Sequence, residues 1–127
     1  SEMCIRDRCC LIPIHHKNIK VISIIDRFLE HTRIFIFNNN KKNETYISSA
    51  DWMTRNLDNR VEVTCPIHDS KIKKEINDIF NIYWSDNVKS RLINQKDANV
   101  YKSDIKKSNS IRSQLEIYNY YKSKIEN

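Results

Sequence analysis

A stretch of the chain between residues 30 and 63 collects the side-chain types that hold phosphate groups. Guanidinium groups bind phosphate oxygens with parallel hydrogen bonds, hydroxyl and amide groups donate to them, and an imidazole exchanges a proton near neutral pH. All three kinds occur here: His31, Arg33, Ser48, Ser49, Arg55, Asn56 and Arg60. Two carboxylates, Asp51 and Glu62, are suited to orienting the histidine or an arginine. The pattern predicts a polyanion site, with Arg33, Arg55 and Arg60 clamping phosphates and the serines and the asparagine as neutral donors.

The same residues also have a purely structural interpretation. A lone histidine at the end of a helix is usually a surface or capping residue. Arg55 and Arg60 are equally suited to ion pairs with Asp51, Asp58 or Glu62. The functional interpretation therefore depends on these side chains meeting at one place.

The hydrophobic pattern predicts a helix followed by a hairpin. Apolar residues at helical spacing over 21–29 predict a short amphipathic helix that ends near Glu30. The β-favouring run Arg33–Phe37 predicts a strand covered on both faces. A polar turn over 38–43 precedes its expected hairpin partner, Thr45–Ser48.

This hairpin would assemble the site. In simple register, His31 and Arg33 lie at the same end of the sheet as Ser48 and Ser49. The chain contains no glycine, so asparagine is expected to take the turn positions that glycine usually occupies.

The middle of the chain predicts one more strand and one more helix. Residues 51–59 are too polar and irregular for a core element, and Arg60–Cys65 reads as a strand that Pro66 stops. Asp69 is a plausible cap for a following helix that packs on the sheet. The apolar face of this helix contains Ile72, Ile76, Ile79, Phe80 and Tyr83.

The last third predicts two helices separated by a loop. Val88–Gln95 reads as a short helix, 96–109 as a charged loop, and Ser110 as a possible cap of the C-terminal helix. The apolar positions of that helix are Ile111, Leu115, Tyr118 and Ile125. The pattern as a whole predicts an α/β domain with a mixed sheet flanked by helices.

Length and composition narrow the class of protein. A chain of 127 residues fits one domain. Its net charge of +6 attracts anions but does not separate nucleic acid from nucleotide, polyphosphate or acidic lipid. No apolar run approaches the length of about 18 residues that a membrane span needs. The four cysteines lack a zinc spacing and indicate reduced thiols in a cytoplasm, so no metal ligands are expected.

Residues 1–8, SEMCIRDR, resemble translated sequencing-adapter read-through rather than protein. They are therefore excluded from the fold argument. The expected domain covers 9–127 and is incomplete on its N-terminal side.

Four ordered strings resemble the C-terminal domain of the polyphosphate kinase family, which has the phospholipase D-like fold. The resemblance covers nearly everything from Cys9 onward, and SADWM followed by RNLD is far from a generic pattern. The strings are IIDRFLEHTRIFIF, YISSADWMTRNLDNRVEV, SDNVKSR and IRSQLEIYNYYKS.

The resemblance implies a kinase that reversibly moves the terminal phosphoryl group of ATP, with Mg²⁺, onto inorganic polyphosphate through a phosphohistidine. That phosphohistidine belongs to the preceding domain. His31 corresponds to the family's second histidine, which is associated with ATP binding and assistance to transfer. Arg6 falls in the register of an ATP-binding arginine, although Asp7 replaces the glycine that follows it in the family.

The resemblance also implies the setting of the chain. Its expected partners are ATP, ADP, polyphosphate and the preceding domains of a homo-oligomeric enzyme, with Mg²⁺ bound mainly outside this chain. The expected location is the cytoplasm, with peripheral attachment to the inner membrane face left open. The isolated chain is predicted to be inactive.

Two other functions remain as alternatives. The first is a phosphodiesterase or nuclease of the phospholipase D type, but Arg33 stands where those enzymes usually have lysine, and SSADWM replaces their glycine-serine strand end. The second is a non-catalytic basic module for nucleic acid. The aromatic residues that stack on single strands are not evident around the basic loops, so nucleic acid is not the expected partner.

Overall fold

The computed structural model describes residues 20–40, 42–51, 54–93, 100–102 and 110–126. Arg6 and the predicted boundary between residues 8 and 9 lie outside this part of the chain. The alternation of strands and helices confirms the predicted α/β class. Its elements are, in order, β1 (Ile22–Ile24), β2 (Ile34–Asn39), β3 (Lys42–Ser48), α1 (Thr54–Asp58), β4 (Thr64–Ile67), α2 (Ser70–Ser85), β5 (Ser90–Leu92), β6 (Val100–Tyr101) and α3 (Ser113–Ile125).

The chain divides into two compact units, each with its own three-stranded sheet. Unit 1 includes residues 30–77, and unit 2 includes 20–29 and 78–126. The strand order is β2-β3-β4 in unit 1 and β1-β5-β6 in unit 2. Every pairing among the described strands is antiparallel. The helix α2 runs across the boundary between the units.

The predicted hairpin of unit 1 is confirmed. β2 and β3 pair in continuous register, from Ile34 opposite Ile47 to Asn39 opposite Lys42. Asn40 follows β2 with a φ of 44°. Asparagine tolerates this left-handed conformation better than other residues with a β-carbon, so it takes the part that glycine usually plays.

The elements after the hairpin differ in part from expectation. Residues 51–59 are not irregular throughout, since they contain the short helix α1. β4 begins at Thr64 and includes Pro66, which was predicted to stop it. Pro66 is tolerated because β4 is an edge strand, where a missing N–H need not break a ladder. The predicted cap of α2 is confirmed, because Asp69 Oδ1 accepts the N–H groups of Lys71 at 2.8 Å and Ile72 at 2.9 Å.

Two predicted helices of unit 2 are wrong. The segment expected to be a helix over 21–29 forms β1 and then an irregular stretch. The segment predicted as a helix from Val88 forms β5, and the predicted loop over 96–109 contains β6. These strands pair with partners that are remote in sequence or lie in an expected loop, so local periodicity could not reveal them.

The C-terminal helix is confirmed, but its predicted cap is wrong. Asp86, rather than Ser110, accepts the N–H of Ser113 through Oδ2 at 2.7 Å. Oδ1 of the same buried carboxylate accepts N–H groups from Val88, Lys89 and Ser90. Burial raises the pKa of Asp86, but these donors outweigh it and lower the pKa overall.

No helix in the described part of the chain is long and apolar enough to cross a bilayer.

Candidate functional site

The open end of the β2–β3 hairpin brings the predicted residues together. The N–H of Ser48 donates to the carbonyl of Arg33 at 3.0 Å, which extends the hairpin register beyond the first residue of β2. Ser49 continues this edge by donating its N–H to the carbonyl of Val63 at 3.0 Å. His31 and Arg33 therefore enter the sheet at the end where the serines leave it.

Arg33 is held by a carboxylate and by the backbone of the candidate histidine. Its Nε lies 2.6 Å from Oδ1 of Asp51, and its Nη1 donates to the carbonyl oxygen of His31 at 3.3 Å. Asp51 thus orients Arg33. The hydrogen bond from Arg33 lowers the pKa of Asp51 against the opposing effect of burial, and the charges of Arg55 and His31 lower it further. The same pair raises the pKa of Arg33.

Glu62 organises a second group of residues. Its Oε1 accepts Nδ2 of Asn56 at 2.7 Å, and its Oε2 accepts the hydroxyl of Ser49. These two hydrogen bonds lower the pKa of Glu62, and the charges of Arg60 and Arg33 add to the effect. Within the described residues its side chain binds neither His31 nor an arginine by a hydrogen bond.

The three predicted neutral donors are engaged inside the protein. Ser48 Oγ lies 2.9 Å from Thr64 Oγ1 and accepts the N–H of Ala50 at 3.1 Å. The hydroxyl of Ser49 donates to Glu62, and its oxygen accepts the N–H of Val63 at 3.0 Å. Asn56 is 3% exposed, and its amide hydrogen faces Glu62. These groups join β3, α1 and the residues before β4 into one frame.

The remaining side chains of the predicted set are Arg55, Arg60 and His31. Arg55 is half-buried, and its Nε has no hydrogen-bond partner in the described part of the chain. Arg60 and His31 are exposed. Neither Arg55 nor Arg60 forms an ion pair with a carboxylate among the residues that the structure describes. The charge of Arg55 lowers the pKa of Asp51 and that of Arg60 lowers the pKa of Glu62, so both arginines lie near the carboxylates of the candidate site.

The described residues do not form a metal site. They include no group of three histidine, cysteine or acidic side chains that could hold an ion. Asp51 and Glu62 already accept hydrogen bonds from Arg33, Ser49 and Asn56. A magnesium ion, which prefers several oxygen ligands in octahedral geometry, does not fit these two engaged carboxylates.

Comparison with known proteins shows which family the chain belongs to. The family model for the polyphosphate kinase C-terminal domain 2 matches residues 1–114. The polyphosphate kinase of Vibrio parahaemolyticus is 48% identical over 126 residues, which are 95% of this chain and 18% of the relative. The polyphosphate kinase of Klebsiella pneumoniae is also 48% identical, over 96% of this chain and 18% of its own length.

A solved structure agrees with the sequence comparison. The crystal structure of polyphosphate kinase from Porphyromonas gingivalis superposes with a TM-score of 0.82 at 44% identity. The match covers 87% of this chain and 17% of that one, and it confirms the predicted phospholipase D-like fold. The chain therefore spans less than a fifth of the relatives that it matches. Neither alternative function is favoured by these likenesses, and the chain belongs to the polyphosphate kinase C-terminal domain 2 family.

Proposed function

We propose that this chain supplies part of the phosphoryl-transfer site of a polyphosphate kinase. The reaction is the reversible transfer of the terminal phosphoryl group of ATP to inorganic polyphosphate. One observation carries the proposal beyond family membership. Arg33 is fixed between Asp51 and the backbone of His31, with Arg55 close enough to act on Asp51, at the open end of the hairpin.

His31 acts in this proposal as a nucleotide-binding residue and proton donor. Phosphoryl transfer asks the protein chiefly to position the reactants and to stabilise charge that spreads over the phosphate oxygens. In its protonated form the imidazole donates to a bridging or leaving oxygen. His31 is exposed, which suits contact with a substrate supplied from outside the chain. The phosphohistidine is contributed by the preceding domain.

The arginines hold phosphate groups, and the polar frame holds the arginines. Asp51 engages Nε of Arg33 and the His31 carbonyl engages Nη1, so we assign Nη2, which has no partner among the described residues, to a phosphate oxygen of the ligand. Arg55 and Arg60 add positive charge near the site, since Arg55 lowers the pKa of Asp51 and Arg60 lowers the pKa of Glu62. Ser48, Ser49 and Asn56 form the frame with Glu62, because their donors are already used.

The remaining components belong to the parent enzyme. Mg²⁺ enters with ATP and is held mainly by the nucleotide and by groups outside this chain. Arg6, assigned only from the family resemblance, contributes to ATP binding if residues 1–8 belong to the protein. The preceding domains complete the site in a homo-oligomer located in the cytoplasm, and the isolated chain has no kinase activity.

Replacing His31 tests this function. The assay uses a chimera in which this chain replaces the matching segment of the Vibrio parahaemolyticus polyphosphate kinase, and it measures phosphoryl transfer from ATP to polyphosphate. We expect His31→Ala to lower kcat at least about 100-fold, the usual cost of losing a general acid. His68→Ala is the matched control, because His68 is an exposed histidine of the same unit outside the site. Equal activity of the two variants would refute the role of His31.

The same protein separates the alternatives. Hydrolysis of a generic phosphodiester by the purified chain, abolished by His31→Ala, would favour the phospholipase D type. Binding of RNA as tight as that of polyphosphate, unchanged by His31→Ala, would favour a nucleic-acid module.

A further inference from the structure

His31 lies on a stretch without helix or strand, the β1–β2 connection, which comprises residues 25–33. Its large apolar side chains are exposed: Ile25 by 59%, Phe28 by 64% and Leu29 by 85%. Because these side chains are largely exposed and the residues lie outside the strands, we expect the backbone position of His31 to depend on the hydrogen bonds of this stretch.

Two side chains at the start of α3 hold this connection. Arg112 donates from Nε to Oδ2 of Asp26 at 2.8 Å and from Nη2 to Oδ1 at 2.6 Å. The Asp26 side chain is 2% exposed, so this is a buried carboxylate met by a bidentate arginine. Gln114 accepts the N–H of Phe28 at 3.1 Å and donates to its carbonyl at 2.7 Å. The amide of Gln114 thus pairs with the backbone of Phe28 in the way that a neighbouring strand would.

The start of α3 is itself fixed from a third part of the chain. Asp86 accepts the N–H of Ser113, and Asn87 exchanges two hydrogen bonds with Ile111, at 2.8 and 3.0 Å. The strings SDNVKSR and IRSQLEIYNYYKS, which supply no residue to the candidate site, meet here and join the string that carries His31. The contacts between these segments indicate a role for them that is separate from phosphate binding.

We propose that Arg112 and Gln114 are positioning residues for His31. They fix Asp26 and Phe28, five and three residues before the histidine. The boundary between the two units falls directly after Leu29, so the anchor acts on His31 along the covalent chain. An anchored connection samples fewer backbone conformations, which holds the imidazole ready for the reacting phosphates. This inference rests on the proposed role of His31 in phosphoryl transfer.

Gln114→Ala tests the anchor without leaving a buried charge unpaired. In the chimeric kinase we expect kcat/KM for ATP to fall at least about tenfold, because the misplaced His31 both binds the nucleotide and assists the transfer. Tyr120→Phe is the matched control: it removes the 3.1 Å hydrogen bond from α3 to Asp78 and leaves the connection alone. We expect its kcat/KM to equal that of the wild type. Arg112→Lys, which keeps the charge but loses the bidentate geometry, should fall between the two.

A second measurement reports the backbone mobility of His31 directly. In the 127-residue chain, NMR relaxation should show larger backbone amplitudes at Glu30 and His31 in Gln114→Ala than in Tyr120→Phe, at matched thermal stability. Unchanged amplitudes at both residues would overturn the proposal.

The outcomes separate this proposal from the proposed function. If His31→Ala abolishes transfer but Gln114→Ala is as active as Tyr120→Phe, the anchor proposal fails and the proposed function stands. If His31→Ala leaves transfer intact, the proposed function fails, and the NMR amplitudes still decide whether Gln114 anchors the connection.

Discussion

At the residue scale, the carboxylates of the candidate site accept hydrogen bonds from neighbouring side chains of the same site. Asp51 engages Arg33, and Glu62 engages Ser49 and Asn56. Hydrogen bonds to each carboxylate lower its pKa, so both remain ionised at neutral pH. Two ionised acids would repel a polyphosphate unless nearby arginines outweighed them. The site therefore combines excess positive charge with fixed geometry.

Asp51→Asn should separate ligand binding from turnover. The change removes a negative charge beside Arg33 and Arg55, so we expect the chain to bind tripolyphosphate about two- to fivefold more tightly at low salt. The kcat of the chimeric kinase should fall about tenfold, because Arg33 loses the charge-assisted hydrogen bond that orients it. Calorimetry and steady-state kinetics give the two values. Asp58→Asn, which makes the same charge change at the end of α1, is the control for net charge. If Asp51→Asn lost affinity and kcat in parallel, Asp51 would not have the orienting role.

At the element scale, the predictable parts of the fold are the local ones. The β2–β3 hairpin follows from an apolar run, a polar turn and a returning strand, and α2 follows from Asp69 and helical spacing. The positions of Arg33 and Ser48 at one end of the hairpin follow from the same register. The local sequence predicts helices where β1 and β5 form, because the pairing of these strands joins residues far apart in the sequence. No local signal marks such a partner.

The fine structure of the site was unpredictable for a related reason. Glu62 could have met His31 or an arginine, and only the fold decides that it meets Ser49 and Asn56. The cap of α3 is likewise supplied by Asp86, from another element. The residues just before the helix therefore favour Ser110 as the cap, although the cap comes from elsewhere in the chain.

The Asp86 cap predicts an acid-sensitive stability. The folded-state pKa of Asp86 is lowered, so its contribution is fully present above the unfolded value of about 3.9 and is lost as pH falls through the folded value. Asp86→Asn keeps an acceptor for the loop N–H groups but turns an amide hydrogen to Ser113. We expect it to cost about 2–4 kcal/mol of unfolding free energy at pH 7, because a buried polar network is broken.

Urea denaturation followed by circular dichroism, at pH 7 and near pH 3, measures this loss. Asp69→Asn is the matched control, since it changes the exposed cap of α2 to a residue that caps about as well. The difference between wild type and Asp86→Asn should shrink at the lower pH. A difference that is the same at both pH values would show that the ionised form of Asp86 does not stabilise the fold.

At the scale of the whole molecule, the net charge of +6 explains attraction to anions and nothing more specific. Every polyanion releases counterions when it binds basic residues, so a strong salt dependence is expected for polyphosphate and RNA alike. The chain also covers only about a fifth of the length of its relatives. Under the proposed function, discrimination between polyanions by this chain depends on the fixed groups near His31.

Competition between polyanions tests this specificity. We expect long-chain polyphosphate to displace a fluorescent single-stranded RNA from the chain at equal phosphate concentration. Arg33→Gln should weaken polyphosphate binding about fivefold or more, because a charge-assisted contact is lost, and RNA binding less than twofold. Lys71→Gln, at the exposed start of α2, removes the same charge outside the site and should weaken both ligands equally. Arg33 is held by Asp51 and the His31 carbonyl in a fixed geometry. Equal losses of affinity for both ligands in Arg33→Gln would mean that this geometry does not select between them. The basic surface alone would then account for binding.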